Sequence, residues 1–234
     1  MYHSITIGTK NTWDDWHLIP ASRPLFNPPP VKTNYIEVPG GDGILDLSIA
    51  LTGRPTYGNR TGSWDFYVQN GYTDWTALYS EIMVYLHGQN FQAILEDDPA
   101  YYYEGRFNVN QWRSEKDYSR IVIDYNVGPY KRDVAGSGDR WLWDPFNFET
   151  GVIRSYKNLI VSGTLTVDVI GDMLEVTPII TSTVSGMKVT FEGRTYTLNR
   201  GANDIQTMVV HSGVNQMTFT GNGKVTIQIT GGRL

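Results

Sequence analysis

Four histidines and one run of carboxylates are the residues of this chain whose types could support chemistry. The carboxylates Glu96, Asp97 and Asp98 lie directly before Pro99. Such a group can act as general acid and base or bind a divalent cation. Neighbouring residues of a strand point to opposite faces, however, and a proline marks a turn, so we interpret the run as a solvated loop end. The histidines match no metal-ligand spacing and are interpreted as structural: His3, His17, His87 and His211.

Other catalytic motifs are missing from the sequence. No serine lies in a nucleophile elbow, and no glycine-rich loop ends in Gly-Lys-Ser or Gly-Lys-Thr. The chain has no cysteine, which excludes thiolate metal sites and disulfides. The glycines between Pro39 and Gly43 do not predict a phosphate site, because a short alternating run follows them instead of a long helix. The sequence therefore predicts no catalytic, cofactor-binding or metal-binding residue.

Composition limits the classes of partner. The net charge is −5, which argues against nucleic acid as the main ligand, because neutralising phosphates requires clustered Lys and Arg. Charged residues make up only 18% of the chain and aromatic residues 13%. This combination is typical of surfaces buried against protein partners, and equally of an aromatic-rich β core. No apolar run is long enough for a membrane span, and no signal peptide is expected.

One helix is predicted in a chain that otherwise resembles β-structure. Residues 73–86 carry apolar side chains at the spacing of a single helix face. Thr73 is expected to cap the start of the helix, Asp74 to interact with its dipole, and Gly88 to end it. The apolar stripe predicts that the helix packs on a β-sheet, and its members are Trp75, Leu78, Tyr79, Ile82, Met83 and Leu86.

Strands are predicted on both sides of the helix. Three consecutive prolines, 28–30, predict a stiff, extended arm or edge segment. Residues 101–112 and 118–127 predict a hairpin whose second strand places alternate apolar residues on one face. The other strand candidates of this half are residues 3–7, 35–38, 44–49, 63–69 and 91–95.

The composition changes around residues 128–157, where Gly128-Pro129 and residues 135–138 offer linker material. Beyond them, short strands follow each other at the spacing of a β-sandwich, and Asn222-Gly223 predicts a two-residue hairpin turn. We expect a mainly β protein of two domains, residues 1–134 and 135–234. The first domain is a sheet or sandwich with the packed helix.

Several long stretches resemble the distal tail proteins of phages and prophages with long, non-contractile tails that infect Gram-positive bacteria. They are NTWDDWHLIPASRPLFNPPPVKTNYIEVPG (residues 11–40), ALTGRPTYGNRTGSWDFYV (50–68), LEDDPAYYYEGRF (95–107), WDPFNFETGVI (143–153) and the final GGRL. They occur in the same order as in that family.

The resemblance implies a virion protein at the tail tip. Its first domain would form a homo-hexameric ring between the major tail (tube) protein and the tail-associated or tail fibre protein. Phage DNA would pass through the ring without sequence-specific binding. The second domain would be a galectin-like sandwich. The resemblance implies no enzyme activity, no cofactor and no membrane insertion, with assembly in the bacterial cytoplasm.

Two other function classes remain open at this stage: a carbohydrate-binding module for host adhesion, and a tail-associated cell-wall hydrolase. Sugar binding requires an exposed aromatic side chain for the apolar face of the sugar ring. After Trp143 the chain has no tryptophan, and Phe191 and Phe219 share faces with apolar residues. Tyr196, next to Arg194, is the one candidate for an exposed platform.

Overall fold

The computed structural model describes residues 2–68, 74–114, 118–134 and 156–234. It contains two compact units: the first runs to Lys131 and includes Leu234, and the second spans Arg132–Arg233. The expected boundary after residue 134 stays a prediction. The possible linker at residues 135–138, the motif at 143–153 and Thr73 lie outside the described residues.

The described residues before position 135 form ten strands and one helix. In chain order they are β1 (Ile5–Ile7), β2 (Lys10–Asn11), β3 (Leu18–Pro20), β4 (Tyr35–Glu37), β5 (Ile44–Asp46), β6 (Arg60–Val68), α1 (Trp75–Leu86), β7 (Gln89–Leu95), β8 (Tyr101–Ser114), β9 (Ser119–Val127) and β10 (Lys131–Asp133).

The described residues from position 156 onward form seven more strands. They are β11 (Leu159–Gly171), β12 (Ile179–Ser182), β13 (Met187–Phe191), β14 (Arg194–Leu198), β15 (Gly201–Asp204), β16 (Gly213–Gln228) and β17 (Gly232–Arg233). The expected class, mainly β with one helix, is confirmed. In the described ranges no helix has the length and apolarity needed to cross a membrane.

The main sheet of the first unit has the strand order β2-β1-β7-β8-β9-β6-β3 and antiparallel pairing. The predicted hairpin is β8–β9, and the predicted apolar face of its second strand is buried. A register shift between Val109 and Gln111 brings Trp112 opposite Ile121, on the core face. The ring of Trp112 thereby stacks on Tyr79 of α1, with ring centroids 4.5 Å apart.

Helix α1 packs on this sheet along the predicted stripe, with Leu78, Ile82 and Leu86 buried. Its cap is Asp74, whose Oδ1 accepts a hydrogen bond of 2.9 Å from the Ala77 backbone N–H. Asp74, which the sequence predicted to interact with the helix dipole, is thus the N-cap residue. Gly88 ends the helix with a φ of +74°, as expected, because this left-handed conformation suits a residue without a Cβ.

A cluster of aromatic rings forms part of the core of the first unit. Phe26 contacts the rings of Trp64, Tyr103 and Tyr125 at centroid distances between 4.0 and 4.8 Å. Part of the high aromatic content therefore lies in a β core, one of the two explanations that composition left open.

Strand β16 organises the second unit. It pairs along one edge with β11, and its other edge is shared between β13 and β12. The change of partner falls between Thr220 and Val225. Gly221 has a φ of +139°, and a Cβ there would contact Met187 at 3.3 Å. The predicted hairpin turn at Asn222-Gly223 is wrong, because Asn222 pairs with Ser162 inside the continuous strand.

Two strands of the second unit begin with the same side-chain arrangement. At the start of β16, Asn215 accepts a hydrogen bond from the His211 backbone N–H and donates to the carbonyls of His211, Gly213 and Val169. At the start of β15, Asn203 accepts from the Asn199 N–H and donates to three carbonyls at the equivalent positions, those of Asn199, Gly201 and Ile180. These asparagines satisfy carbonyls that the turns leave without a strand partner.

Candidate assembly site

The carboxylates that the sequence singled out each bind a different partner. Glu96 Oε2 accepts from the Ser4 backbone N–H at 2.7 Å. Asp97 lies 2.9 Å from His3 Nδ1 and accepts from Arg23 Nε at 2.9 Å. Asp98 accepts from Lys131 Nζ at 2.7 Å. The run is therefore a turn tied into the first unit by ion pairs rather than a solvated loop end.

Electrostatics at this turn favour a structural role. The side chain of Asp97 is only 10% exposed. Burial acts to raise the pKa of Asp97, but hydrogen bonds and charge from Arg23 and His3 outweigh burial and hold this pKa below its usual value.

Two further histidines have local partners. His87 Nδ1 accepts from the Val109 N–H at 3.2 Å, next to the end of α1. His211 Nδ1 lies 3.0 Å from Glu175. Across the described ranges, no group of three or more His, Asp or Glu side chains could hold a metal ion.

The candidate sugar platform, Tyr196, is half-buried. Tyr196 stands opposite the buried Val189 and packs against the core of the second unit. Its hydroxyl accepts a hydrogen bond of 3.3 Å from Thr207 Oγ1. Tyr196, the one candidate for an exposed platform, therefore does not provide one, because the register of β13 and β14 turns this ring toward the core. Phe191 and Phe219 are buried, as expected.

The most unusual surface of the first unit is an excursion of residues 31–57, which we call the arm. Its base is a short two-chain stem. Val31 bridges Tyr57, and the Lys32 N–H donates to the Thr56 carbonyl at 2.8 Å. The Gly58 N–H donates to the Pro30 carbonyl, also at 2.8 Å. The three prolines therefore lead into a paired projection, in line with the expected stiff arm.

Strands β4 and β5 form the distal part of the arm. They pair as an antiparallel hairpin with Ile36 opposite Leu45. The Leu47 N–H donates to the Asn34 carbonyl at 2.9 Å and extends the hairpin toward the stem. The turn between the strands contains Gly40 and Gly43, both with φ near +80°, where the predicted Pro-Gly-Gly-Asp-Gly turn lies.

The arm exposes apolar side chains on both of its faces. Every residue from 31 to 46 is exposed, and Leu51 is 99% exposed. Soluble monomers rarely expose contiguous apolar surface on this scale, and an isolated two-stranded hairpin is at best marginally stable in water. The exposed large apolar residues of the arm are Val31, Tyr35, Ile36, Val38, Ile44, Leu45, Ile49 and Leu51.

Side chains on either side of the arm tie its two ends together. Asn27 Nδ2 donates to the Thr61 carbonyl at 2.9 Å, and Arg60 Nη1 donates to the Asn27 carbonyl at 3.0 Å. Two more bonds join these residues to the rest of the unit. The Asn27 N–H donates to Tyr125 Oη at 2.9 Å, and Arg60 Nε donates to the Pro129 carbonyl at 2.8 Å. We call this group the root clamp.

Arg60 is the central residue of the root clamp. It is 5% exposed, and burial lowers the pKa of its guanidinium. Among the described residues no carboxylate pairs with it. The charge is instead stabilised by two backbone carbonyls and by the ring of Tyr103, whose centroid lies 5.4 Å from Cζ.

Gly62 is required next to the clamp. A Cβ at this position would lie 2.6 Å from Asn27 Nδ2 and would collide with Tyr125 Oη. Only glycine allows the side chains of Asn27 and Tyr125 to approach β6 this closely.

The sequence indicated an extended segment here but not a functional surface. A usable signal is present, because residues 33–53 contain eight large apolar residues and no Lys, Arg or His. Among the described residues, the apolar side chains of this segment have no core to pack against.

Of three comparisons with known proteins, the comparison with solved structures found a similar architecture. No protein-family model matches the sequence, and no curated protein matches it. Among solved structures, the chain is similar to the crystal structure of the SPP1 Dit (gp 19.1) protein. That protein is described as a paradigm of the hub adsorption apparatus in phages that infect Gram-positive bacteria.

The match extends over 100% of both chains with a TM-score of 0.63, at 14% sequence identity. The resemblance to distal tail proteins is thereby confirmed at the level of the fold. From its first unit through its second, this chain has the Dit fold.

Proposed function

We propose that this chain is a structural protein of a phage tail tip, and that six copies form a closed ring through the first unit. The ring connects the tail tube to the tail-associated or fibre protein, and DNA passes through it without sequence-specific contacts. Assembly takes place in the bacterial cytoplasm, and the ring then belongs to the virion. Its role is structural rather than catalytic.

The observation that carries this proposal is the arm. Its apolar residues are exposed in the part of the chain that the structure describes, and a neighbouring copy can cover them. A ring does this for every copy at once, because each subunit presents an arm on one side and receives one on the other. Closed symmetry also limits growth, so that exposed apolar hairpins lead to a particle of fixed size rather than to fibres.

The fold comparison supports the same role, because the matched SPP1 protein is a component of a hub adsorption apparatus. The galectin-like character of the second unit is part of this proposal.

The test is the mass of the full-length protein in solution, measured by light scattering and supported by negative-stain images. Six chains per particle are expected, in exchange with single chains at low concentration. A matched variant replaces residues 33–55 with a short Gly-Ser linker and should remain a folded single chain. A wild-type protein that stays monomeric at high concentration, and also with tail-tube protein added, would contradict the proposal.

A further inference from the structure

The outer face of the first sheet carries a row of side chains across four neighbouring strands. The register places Ile19 of β3 opposite Tyr67 of β6, Tyr67 opposite Arg120 of β9, and Arg120 opposite Arg113 of β8. Tyr118 joins the row, because its ring meets Tyr67 edge-on at 5.8 Å. We call these five residues the arginine–tyrosine patch.

The patch is open to solvent and apolar at one end. Ile19, Tyr67 and Tyr118 are between 37% and 46% exposed. Outside the arm and the patch, the exposed large apolar residues among positions 2–131 are Tyr2, Leu25, Val84 and Trp112, and the rings of Tyr2 and Trp112 stack on Trp13 and Tyr79. Tyr and Arg are the residue types most enriched where protein interfaces gain their energy. The patch therefore has the composition of an interface.

The other end of the patch carries two arginines, Arg113 and Arg120. Arg113 and Arg120 are direct cross-strand neighbours, and like charges in this position repel each other. Asp65 forms an ion pair with Arg120. No carboxylate of the described ranges pairs with Arg113, which is exposed. An anionic partner on this end would relieve the repulsion.

The arm has the complementary chemistry. Between Lys32 and Arg54 it contains Glu37, Asp42 and Asp46 but no basic residue, together with the exposed apolar side chains of β4 and β5. Ten residues of strand extend at most about 33 Å, close to the diameter of a small domain. The arm is therefore long enough to reach from its own unit across a neighbouring one.

We propose that the arginine–tyrosine patch of one copy receives the arm of the next copy. The inference rests on the proposed ring and specifies its subunit contact. Apolar residues of β4 and β5 cover Ile19, Tyr67 and Tyr118, while carboxylates of the arm face Arg113 and Arg120. The patch begins at β3, the edge strand of the sheet, so an incoming hairpin approaches it without crossing another strand.

Cysteine cross-linking tests this contact directly, because the chain has no cysteine of its own. The test variant carries Ile44→Cys on the arm and Tyr67→Cys on the patch. The matched control carries Ile44→Cys with Val84→Cys, since Val84 is 84% exposed in the same unit. After treatment with a short bismaleimide, denaturing gels should show a ladder of up to six chains for the test variant and single chains for the control.

A second measurement uses charge. Arg113→Glu should raise the concentration at half-assembly about tenfold, as loss of one interfacial charge pair predicts. Arg113→Glu places a negative charge opposite the carboxylates of the arm, which repel it. Adding Glu37→Lys and Asp42→Lys should restore assembly, because the arm is then positive where the patch is negative.

Light scattering on the same samples separates the two proposals. Single chains for wild type and for both cysteine variants would contradict the ring itself. Rings that form normally but give no ladder with Tyr67→Cys, or give one only with Val84→Cys, would overturn the docking inference and leave the ring standing. A ladder from Tyr67→Cys alone supports both.

Discussion

The guanidinium of Arg60 donates a hydrogen bond of 3.0 Å to the backbone carbonyl of Asn27, so the residues that flank the arm hold each other in place. Arg60 also donates to the Pro129 carbonyl through Nε. A fork of planar donors serves two acceptors at once, which a single ammonium group cannot do in the same geometry.

The first prediction follows from this fork. Arg60→Lys should lower the free energy of unfolding of the first unit by about 1–3 kcal/mol, because one buried carbonyl loses its partner. Thermal unfolding followed by circular dichroism measures the change. Arg113→Lys is the control, because Arg113 is exposed. It should shift stability by less than about 0.5 kcal/mol. Equal losses in the free energy of unfolding for the two substitutions would show that the hydrogen bonds of Arg60 do not stabilise the first unit.

The second prediction concerns the packed helix. Leu78→Asp or Ile82→Asp should unfold the first unit, since these positions are 2% and 0% exposed. An unpaired buried carboxylate costs several kcal/mol, comparable to the stability of a domain. Val84→Asp, on the exposed side of the same helix, should leave the melting temperature nearly unchanged. If all three variants melted like wild type, the helix stripe could not be part of the core.

Sequence patterns predicted the elements with their own periodicity. The helix stripe has six apolar residues at one spacing, and the buried side of β9 alternates strictly from Ile121 to Val127. Both patterns are local, so they can be recognised in the sequence without knowing which residues pack against them. The triple proline likewise fixes an extended backbone by itself.

Such patterns did not predict contacts between residues that lie far apart in the sequence. Asn222-Gly223 has turn chemistry, yet the full-length pairing of β11 with β16 keeps the strand continuous through it. The clamp joins Asn27 to Arg60 and Tyr125, residues separated by 33 and 98 positions. The face of Tyr196 depends on its register with β13. In each case tertiary pairing decides the outcome, and a single sequence does not contain it.

The third prediction concerns the paired asparagine arrangements of the second unit. Asn215→Asp keeps the acceptor for the His211 N–H but cannot donate to the three carbonyls that Asn215 Nδ2 serves. A loss of roughly 2–4 kcal/mol is expected in thermal or denaturant unfolding of the full chain. Asn203→Asp should behave alike.

Asn222→Asp is the matched control for these variants. Asn222 uses its Oδ1 to accept from the Gly163 N–H, which a carboxylate can also do. Little change is therefore expected. A large loss with Asn222→Asp and none with Asn215→Asp would contradict the role given to the donated bonds.

The fourth prediction is a pH dependence from Asp97. Its pKa in the folded protein lies below the ordinary value, so it contributes stability above the pKa of the unfolded state, near 3.8. This contribution is lost as the pH falls through the lower, folded pKa.

Melting temperatures between about pH 5 and pH 2 should therefore fall less steeply in Asp97→Asn than in wild type, from a lower starting value at pH 5. Asp14→Asn, at an exposed position outside the arm and the patch, provides the comparison and should follow the wild-type curve. If the melting temperatures of wild type and Asp97→Asn fell in parallel with pH, Asp97 would not contribute to the pH dependence of stability.

The last prediction concerns sugar binding by the second unit. Stacking on a sugar requires an aromatic face open to solvent, surrounded by fixed polar groups. None of the four aromatic residues at positions 156–234 is exposed, and Tyr196 packs against the core. Titration calorimetry of the full chain against host-wall saccharides should therefore detect no binding tighter than about 1 mM, because association must first offset lost rigid-body freedom. Tyr196→Ala should lower the melting temperature instead. Micromolar binding that this variant abolishes, with the melting temperature unchanged, would make the second unit an adhesion module.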